Sequence, residues 1–130
     1  MAQAQANIGE TRYAVAIRAG SHDLVADEGT ALGGQDAGPA PYDLLLASLG
    51  ACTAITLKMY AERKAWPLSA AHIGLRFIRN GDETRIERSL AFDGPLDDEQ
   101  RARLADIAER TPVTLTLKGG LPIHTSLVAR

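Results

Sequence analysis

The feature that most constrains the fold is an uncharged, strongly apolar run from Leu44 to Leu57. Pro41 precedes it, and proline suits the first helical position because its missing N–H has no intrahelical partner there. We therefore predict a helix from Pro41 to about Lys64. Apolar side chains lie on every side of this helix, so all of its faces need cover. The run has 14 residues, fewer than the roughly 20 of a membrane helix, so we expect no membrane span.

The composition restricts the classes of function. The chain has 130 residues, which suits one domain, and 14 basic against 16 acidic side chains give a net charge of −2. This balance offers no basic surface for nucleic acid or for an anionic membrane. The single cysteine, Cys52, cannot form an internal disulfide, and the N-terminus lacks the pattern of a signal peptide. We therefore expect a cytoplasmic protein.

The remaining pattern predicts an α+β fold in the order β-β-α-β-β-α-β, with an antiparallel sheet. Residues 1–10 are interpreted as a flexible lead and residues 11–130 as a single domain. Asp97 and Gln100 have the spacing of a capping box at the start of the second helix. The predicted elements begin with strands over 12–18 and 22–26, followed by the helix at Pro41. A hairpin comes next, with strands around 71–77 and 86–92 and a turn at Asn80–Gly81. The last elements are a helix over 97–110 with a further turn after Pro112 and a final strand over 121–127.

The long apolar helix also indicates a partner chain. One sheet covers one side of it, and the second helix offers only the narrow stripe of Leu104, Ile107 and Ala108. Each leucine left exposed forgoes about 1.5–3 kcal/mol of burial. We therefore predict a homodimer with this helix at its centre. The alternative is that the sheet and the long loop over residues 27–39 bury the helix within one chain.

Three common site motifs are incomplete. Gly29 and Gly34 have the spacing of a phosphate loop, but Gln35 follows where that loop needs lysine. Residues 46–50 lack the first glycine of a nucleophile elbow. Three histidines stand far apart, without ligand spacing, so we expect no metal site: His22, His72 and His124.

Cys52 is the candidate nucleophile. A lone cysteine in an apolar helix is usually a small buried hydrophobe, and burial disfavours its thiolate. Cys52 lies roughly 15 Å along the axis from the helix start, beyond the first turn where the helix dipole acts. A reactive Cys52 therefore needs a cation from elsewhere. Arg18, at the end of a predicted strand, is a candidate, and the alternative for Arg18 is a solvated strand-end charge.

The sequence around Cys52 resembles the signature of a known family. Residues 38–53, GPAPYDLLLASLGACT, resemble the first motif of the OsmC/Ohr thiol peroxidases, and residues 108–113, AERTPV, resemble the second. The resemblance extends over residues 11–128 and is strongest to the OsmC-like branch. It implies an intertwined homodimer in which antiparallel sheets wrap around central apolar helices. It also implies chemistry without a metal or an organic cofactor.

The resemblance implies roles for particular residues. Cys52 matches the cysteine that attacks the peroxide, and Arg18 is the candidate for the arginine that holds the thiolate. The family's glutamate partner of that arginine falls near Tyr42 or Asp43, of which Asp43 is acidic but one residue off the family register and one methylene shorter. The family's second cysteine, which forms a disulfide with the oxidised first one, is replaced by Thr111. The residues expected to contact the substrate are Tyr42, Leu49 and Thr111.

Three functions follow as hypotheses. The first is a one-cysteine thiol peroxidase that reduces organic hydroperoxides in oxidative stress defence and is recycled by an external thiol. The second is a catalytically silent OsmC-like dimer that binds an apolar small molecule. The third is a thiol-dependent hydrolase or transferase that uses Cys52 with His72 or His124.

Overall fold

The computed structural model describes residues 1–130, and the chain divides into two units, residues 1–47 and residues 48–130. The first helix, α1, covers Pro41–Arg63, so it begins in the first unit and continues in the second. The prediction of an α+β protein with antiparallel strands and a long apolar helix is confirmed.

The N-terminal unit is a three-stranded antiparallel sheet in the order β1-β2-β3. Its elements are β1 (Ala4–Ile8), β2 (Val15–Ala19), β3 (His22–Ala26) and a short 3-10 turn (Thr30–Leu32). Part of the predicted flexible lead, residues 1–10, forms strand β1, in which Ala6 pairs with Ile17 and Ile8 with Val15. All five residues of β1 are exposed, so no buried face marks this strand in the sequence.

Asp27 fixes the loop that follows β3, and its side chain is only 2% exposed. Its Oδ1 accepts hydrogen bonds from the backbone N–H groups of Tyr13 at 3.2 Å and Glu28 at 2.7 Å. Its Oδ2 accepts from Gln35 at 3.2 Å and Ala37 at 3.1 Å. The bond from Ala37, followed by those from Glu28, Gln35 and Tyr13, lowers the pKa of Asp27 below its ordinary value against the opposing effect of burial.

The C-terminal unit contains a long hairpin of β4 (Ala70–Asn80) and β5 (Glu83–Asp93). The sequence predicts a turn centred on Asn80–Gly81, whereas Asn80 pairs with Glu83 and the two loop residues are Gly81 and Asp82. Gly81 has a φ of 63°, which a glycine adopts at the first loop position of a type II′ turn. The turn therefore lies one residue later than predicted.

Two further helices pack beside the hairpin: α2 (Asp98–Ala108) and α3 (Pro112–Gly119). The predicted capping box at the start of α2 is confirmed, with Asp97 and Gln100 bonded to each other's backbone N–H. The C-terminal half of α1 joins α2 and the hairpin in one core, whose buried members are Leu57, Ala61, Leu68, Leu96, Leu104 and Ala108.

The predicted final strand over residues 121–127 is absent. These residues have no regular structure and are exposed, including Leu121, Ile123 and Leu127. Alternating polarity favours a strand only where a neighbouring strand supplies hydrogen bonds, and no strand of this chain pairs with the segment. Its apolar side chains are therefore uncovered within one chain.

Helix α1 is buried along one narrow stripe rather than on every side. The buried residues recur at every fourth position and are Leu49, Thr53, Leu57 and Ala61. On other faces Ile55 is 54% and Met59 is 59% exposed. By length and composition alone α1 could cross a membrane, but Leu57 and Ala61 of its buried stripe pack in the core of the C-terminal unit, as in the core helix of a globular domain.

Candidate functional site

Cys52 lies on α1 and meets the start of α3. Its side chain is half-buried, and its Sγ accepts a hydrogen bond from the backbone N–H of Val113 at 3.4 Å. Its Sγ also lies 4.0 Å from the Thr56 hydroxyl, one turn further along α1. The two motifs that resemble the OsmC/Ohr family therefore meet at this sulfur.

The first turn of α3 explains why this N–H is available. The first N–H groups of a helix have no intrahelical acceptor. Pro112 occupies the first turn and carries no N–H, and the side chain of Thr111 makes no capping hydrogen bond to the helix. Val113 therefore directs a free N–H at Cys52, and the positive end of the α3 dipole faces the sulfur. The dipole of α1 itself is too far away, so a second helix supplies this interaction.

Arg88 joins the elements around this contact. Its side chain is only 11% exposed. One terminal nitrogen donates to the hydroxyls of Thr53 at 3.0 Å and Thr114 at 2.9 Å. The other donates to the carbonyl oxygen of Ala108 at 2.9 Å and to Glu109 at 3.1 Å. A single side chain on β5 thus bonds α1, α3 and the C-terminal end of α2.

Thr111, at the family's second cysteine position, belongs to the same network. Its side chain is buried, and its hydroxyl lies 2.6 Å from that of Thr114. Thr114 in turn bonds Arg88 and lies 3.3 Å from the carbonyl oxygen of Ala108. The hydroxyl of Thr111 therefore has a structural partner, which a buried polar group requires.

Glu109 balances the charge of Arg88 at the edge of the site. Lys118 donates to Glu109 Oε1 at 3.0 Å, and Arg88 donates to Oε2 at 3.1 Å. The hydrogen bond from Lys118, and then that from Arg88, lowers the pKa of Glu109 below its ordinary value. The carboxylate is 60% exposed, so water screens both interactions.

A cavity of about 670 Å³ lies between α1, the hairpin, α2 and α3. Its size is within the range of small-molecule sites. Its apolar lining consists of Leu49, Phe77, Ile86, Leu90, Ala105 and Leu117. Arg88, Glu109, Thr114 and Lys118 are among its polar lining residues, and Cys52 is not among the lining residues. Leu49 lines the cavity and lies one turn before Cys52 on α1, so it connects the cavity to the helix that carries Cys52.

The other residues that the sequence predicts for the site lie in the N-terminal unit. The guanidinium of Arg18 donates to Asp23 at 2.9 Å, and both side chains are exposed. Asp43 accepts a hydrogen bond from the backbone N–H of Ala40 at 3.3 Å, at the start of α1. Tyr42, beside it, is half exposed. Within this unit Arg18 is therefore paired with Asp23 and not with Asp43.

The histidines do not form a site with Cys52. His72 bonds Asp93 at 2.9 Å near one end of the hairpin, and His124 lies in the exposed C-terminal segment. Neither is a hydrogen-bond partner of the sulfur. No group of three His, Cys, Asp or Glu side chains is arranged as metal ligands.

Sequence reasoning missed Arg88. Alternation along β5 places residue 88 on the same face as Ile86, Leu90 and Phe92. A charge on an apolar strand face is costly to bury without partners, so such a residue signals a polar network. The inward position of Arg88 could therefore be inferred from the sequence, but its hydrogen-bond partners could not.

The comparisons with known proteins identify a family and a fold. The family model of OsmC-like protein matches residues 33–126. An OsmC-like protein from Mycoplasma pneumoniae has a TM-score of 0.78 and 18% identity, covering 92% of this chain and 88% of that chain. The organic hydroperoxide resistance protein OsmC from Legionella pneumophila has a TM-score of 0.62 and 18% identity, covering 92% of this chain and 90% of that chain.

A further structure has the same fold. The organic hydroperoxide resistance protein from Elizabethkingia anophelis, solved with thiocyanate bound, has a TM-score of 0.66 and 20% identity, covering 92% of this chain and 89% of that chain. A search of curated proteins finds no significant match. At these identities the solved structures define the fold and not the activity.

The cysteine-bearing apolar helix beside an antiparallel hairpin defines an α+β protein with the OsmC-like fold. The family model covers most of the sequence, including both motifs and Cys52. The chain belongs to the OsmC family, as the resemblance of residues 38–53 and 108–113 implies.

Proposed function

We propose that this chain is a one-cysteine thiol-dependent peroxidase that reduces organic hydroperoxides in oxidative stress defence. The observation that carries the proposal is the hydrogen bond from the Val113 N–H to the Cys52 sulfur at 3.4 Å. Backbone donors at a helix N-terminus favour the thiolate, which is the nucleophilic form of cysteine. Structures of the same fold from two other organisms are named organic hydroperoxide resistance proteins, which supports this substrate class.

The first chemical step is the attack of the Cys52 thiolate on the distal oxygen of the hydroperoxide. A sulfur–oxygen bond forms, the oxygen–oxygen bond breaks, and the alkoxide leaves as the alcohol after taking a proton from solvent. The sulfur is oxidised by two electrons to a sulfenic acid, and the peroxide is reduced by the same two electrons. The dipole of α3 stabilises negative charge at the sulfur before the attack.

The second step needs an external thiol, because Thr111 cannot form a disulfide. A small thiol attacks the sulfenic sulfur and releases water, which leaves a mixed disulfide on Cys52. A second thiol then attacks the small-molecule sulfur of that disulfide and restores the Cys52 thiolate. Each turnover therefore consumes two external thiols and one hydroperoxide.

The surroundings of Cys52 favour an apolar substrate over hydrogen peroxide. Ile86, Leu90 and Leu117 line the nearby cavity, and Leu49 connects its wall to the helix that carries Cys52. Burial of an alkyl chain in such a lining contributes about 0.8 kcal/mol for each CH₂ group. Within this proposal we assign a substrate contact to Leu49, whereas the side chain of Thr111 is fully buried and bonded to Thr114.

The proposal includes a cytoplasmic homodimer. Exposed apolar residues on α1, on α3 and in the C-terminal segment lack cover in one chain: Ile55, Met59, Leu115, Leu121, Ile123, Leu127 and Val128. Exposure of many large apolar side chains is typical of a chain that is covered by a partner. In this dimer Arg18 and Asp43 of a second copy of the chain would complete the site around Cys52. Sedimentation at low protein concentration tests this, and a stable monomer would contradict it.

The peroxidase proposal is tested by the rate of hydroperoxide loss under excess dithiothreitol. We expect the wild-type chain to consume cumene hydroperoxide faster than hydrogen peroxide, and Cys52→Ser to consume neither above the uncatalysed rate. Ser48→Ala, on the same helix, is the matched control and should retain the wild-type rate. Equal rates for the wild type and Cys52→Ser would reject the proposal.

The cavity favours a second candidate function, a silent dimer that binds an apolar small molecule. The cavity of about 670 Å³ has an apolar wall, and Cys52 does not line it. This function predicts saturable binding of a fluorescent fatty-acid analogue with equal affinity in the wild type and Cys52→Ser, and no peroxide consumption. Peroxide turnover that depends on Cys52 would reject it.

A further inference from the structure

Arg88 lies at the centre of the polar network beside Cys52. It stands on the inward face of β5 and is nearly buried. Each of its two terminal nitrogens makes two hydrogen bonds, so all four of their N–H groups have acceptors. Only the Nε–H remains of the five donors of the guanidinium. The two terminal nitrogens of Arg88 therefore use all of their N–H groups within the protein and have none left for a ligand.

The residues that Arg88 bonds flank the contact at the sulfur. Thr53 directly follows Cys52 on α1, and its hydroxyl also donates to the carbonyl oxygen of Leu49 at 2.7 Å. Thr114 directly follows Val113 on α3. One terminal nitrogen of Arg88 thus bridges the two residues that adjoin the sulfur and its N–H donor. The other nitrogen bonds Ala108 and Glu109 at the end of α2, which leads into α3.

The contact that this bridge supports is a single hydrogen bond. The Val113 nitrogen and the Cys52 sulfur are 3.4 Å apart, and the bond depends on the position of α3. The position of α3 therefore decides whether the Cys52 sulfur receives this hydrogen bond. Removal of Arg88 would also leave the buried hydroxyl oxygen of Thr53 without a donor, whereas the carbonyl oxygen of Ala108 keeps the hydrogen bond from Thr114.

We propose that Arg88 is a positioning residue that holds the N-terminus of α3 against Cys52 and thereby sets the reactivity of this thiol. The inference rests on the proposed function, because it takes Cys52 as the reacting group. Arg88 acts through the backbone of Val113, since its own terminal donors are occupied. Glu109 neutralises the guanidinium, which allows a cation to stay almost buried at this junction.

The test measures the rate of Cys52 alkylation by iodoacetamide as a function of pH in Arg88→Lys. Lysine keeps the charge, but a single ammonium cannot reproduce the planar fork that bridges four acceptors. We expect the pH of half-maximal rate to rise by about half a unit or more, which lowers the rate at neutral pH about threefold. Arg85→Lys is the control, because Arg85 on the same strand bonds only Glu83 and Glu87. An unchanged midpoint in folded Arg88→Lys would overturn the proposal.

A second pair of variants decides the question if Arg88→Lys does not fold. Thr114→Val removes the acceptor on α3 but leaves Arg88 in place, and Thr114→Ser restores the hydroxyl. We expect the alkylation midpoint to rise in Thr114→Val and to return to the wild-type value in Thr114→Ser. Equal midpoints in the two variants would overturn the proposal. If Arg88→Lys shifts the midpoint while the wild type consumes no peroxide, the proposed function fails and the positioning role of Arg88 stands.

Discussion

The backbone N–H of Val113 donates to the sulfur of Cys52 at 3.4 Å, although the two residues are 61 positions apart in the chain. Helix α1 carries the sulfur, and helix α3 directs its positive end at it. Neither helix alone makes a reactive cysteine, because Cys52 lies far from the start of α1 and α3 carries no cysteine. The junction of the two helices therefore defines the candidate site.

Val113→Pro tests the contribution of this N–H. Proline is tolerated in the first turn of a helix but has no N–H to donate. We expect the alkylation rate of Cys52 at neutral pH to fall on the order of tenfold, as loss of a hydrogen bond to a thiolate would cause. Val113→Ala keeps the N–H and should react like the wild type. If both variants react equally fast, the bond does not activate the sulfur.

Asp27→Asn is expected to remove an acid-sensitive contribution to stability. The folded-state pKa of Asp27 lies below its ordinary value of 3.8, chiefly because Ala37 donates a hydrogen bond to it. The carboxylate therefore stabilises the fold above pH 3.8, and this contribution is lost as the pH falls through the folded-state pKa. Asparagine offers one oxygen in place of two, so two of the four N–H groups lose their acceptor.

The measurement for Asp27 is the thermal unfolding midpoint between neutral pH and about pH 2. The wild-type midpoint should fall steeply at the acid end, whereas that of Asp27→Asn should be several degrees lower at neutral pH and should depend less on pH. Asp23→Asn serves as the control, because the Asp23–Arg18 ion pair is exposed and contributes little. Parallel curves for the wild type and Asp27→Asn would contradict the prediction.

The local elements of the fold were predictable because their signals lie within a few residues of each other. Pro41 and the apolar run predict α1, and Asp97 with Gln100 predicts the start of α2. Strand β1 was not predictable, because its residues are all exposed and only backbone pairing with β2 defines it. The alternating segment over residues 121–127 gives the opposite case, since it has the pattern of a strand without a paired neighbour.

The candidate site was predictable only in part. The motif around Cys52 and the motif around Thr111 identify the sulfur and the segment that meets it. Arg88 bonds Thr53, Thr114 and Ala108, which are 35, 26 and 20 residues away. Alternation along β5 indicates that Arg88 points inward, but its partners depend on how three helices pack on the hairpin. Such long-range packing has no local signal in the sequence.

Ile55→Asp tests the homodimer through the open face of α1. Ile55 is 54% exposed in the single chain, so aspartate should not disturb the core of one protomer. In a dimer centred on α1 the same carboxylate would be buried without a partner, which is strongly unfavourable. We expect sedimentation to show dissociation to monomers or loss of soluble protein. Glu62→Gln, near the exposed end of the same helix, should leave the dimer intact, and an unchanged dimer in Ile55→Asp would place the interface elsewhere.

Thr111→Cys tests whether the second cysteine position still lies within reach of Cys52. The side chain of Thr111 is buried two residues before Val113, whose N–H already contacts the sulfur. After one equivalent of cumene hydroperoxide oxidises Cys52 to the sulfenic acid, the thiol at position 111 should attack it and release water. The product is an intramolecular disulfide, detected by mass spectrometry and by the absence of free thiols. The wild type should instead retain a sulfenic acid that reacts with dimedone. Thr111→Ser keeps a hydroxyl for Thr114 and should behave like the wild type, so a dimedone-reactive sulfenic acid that persists in Thr111→Cys would show that the two positions do not meet.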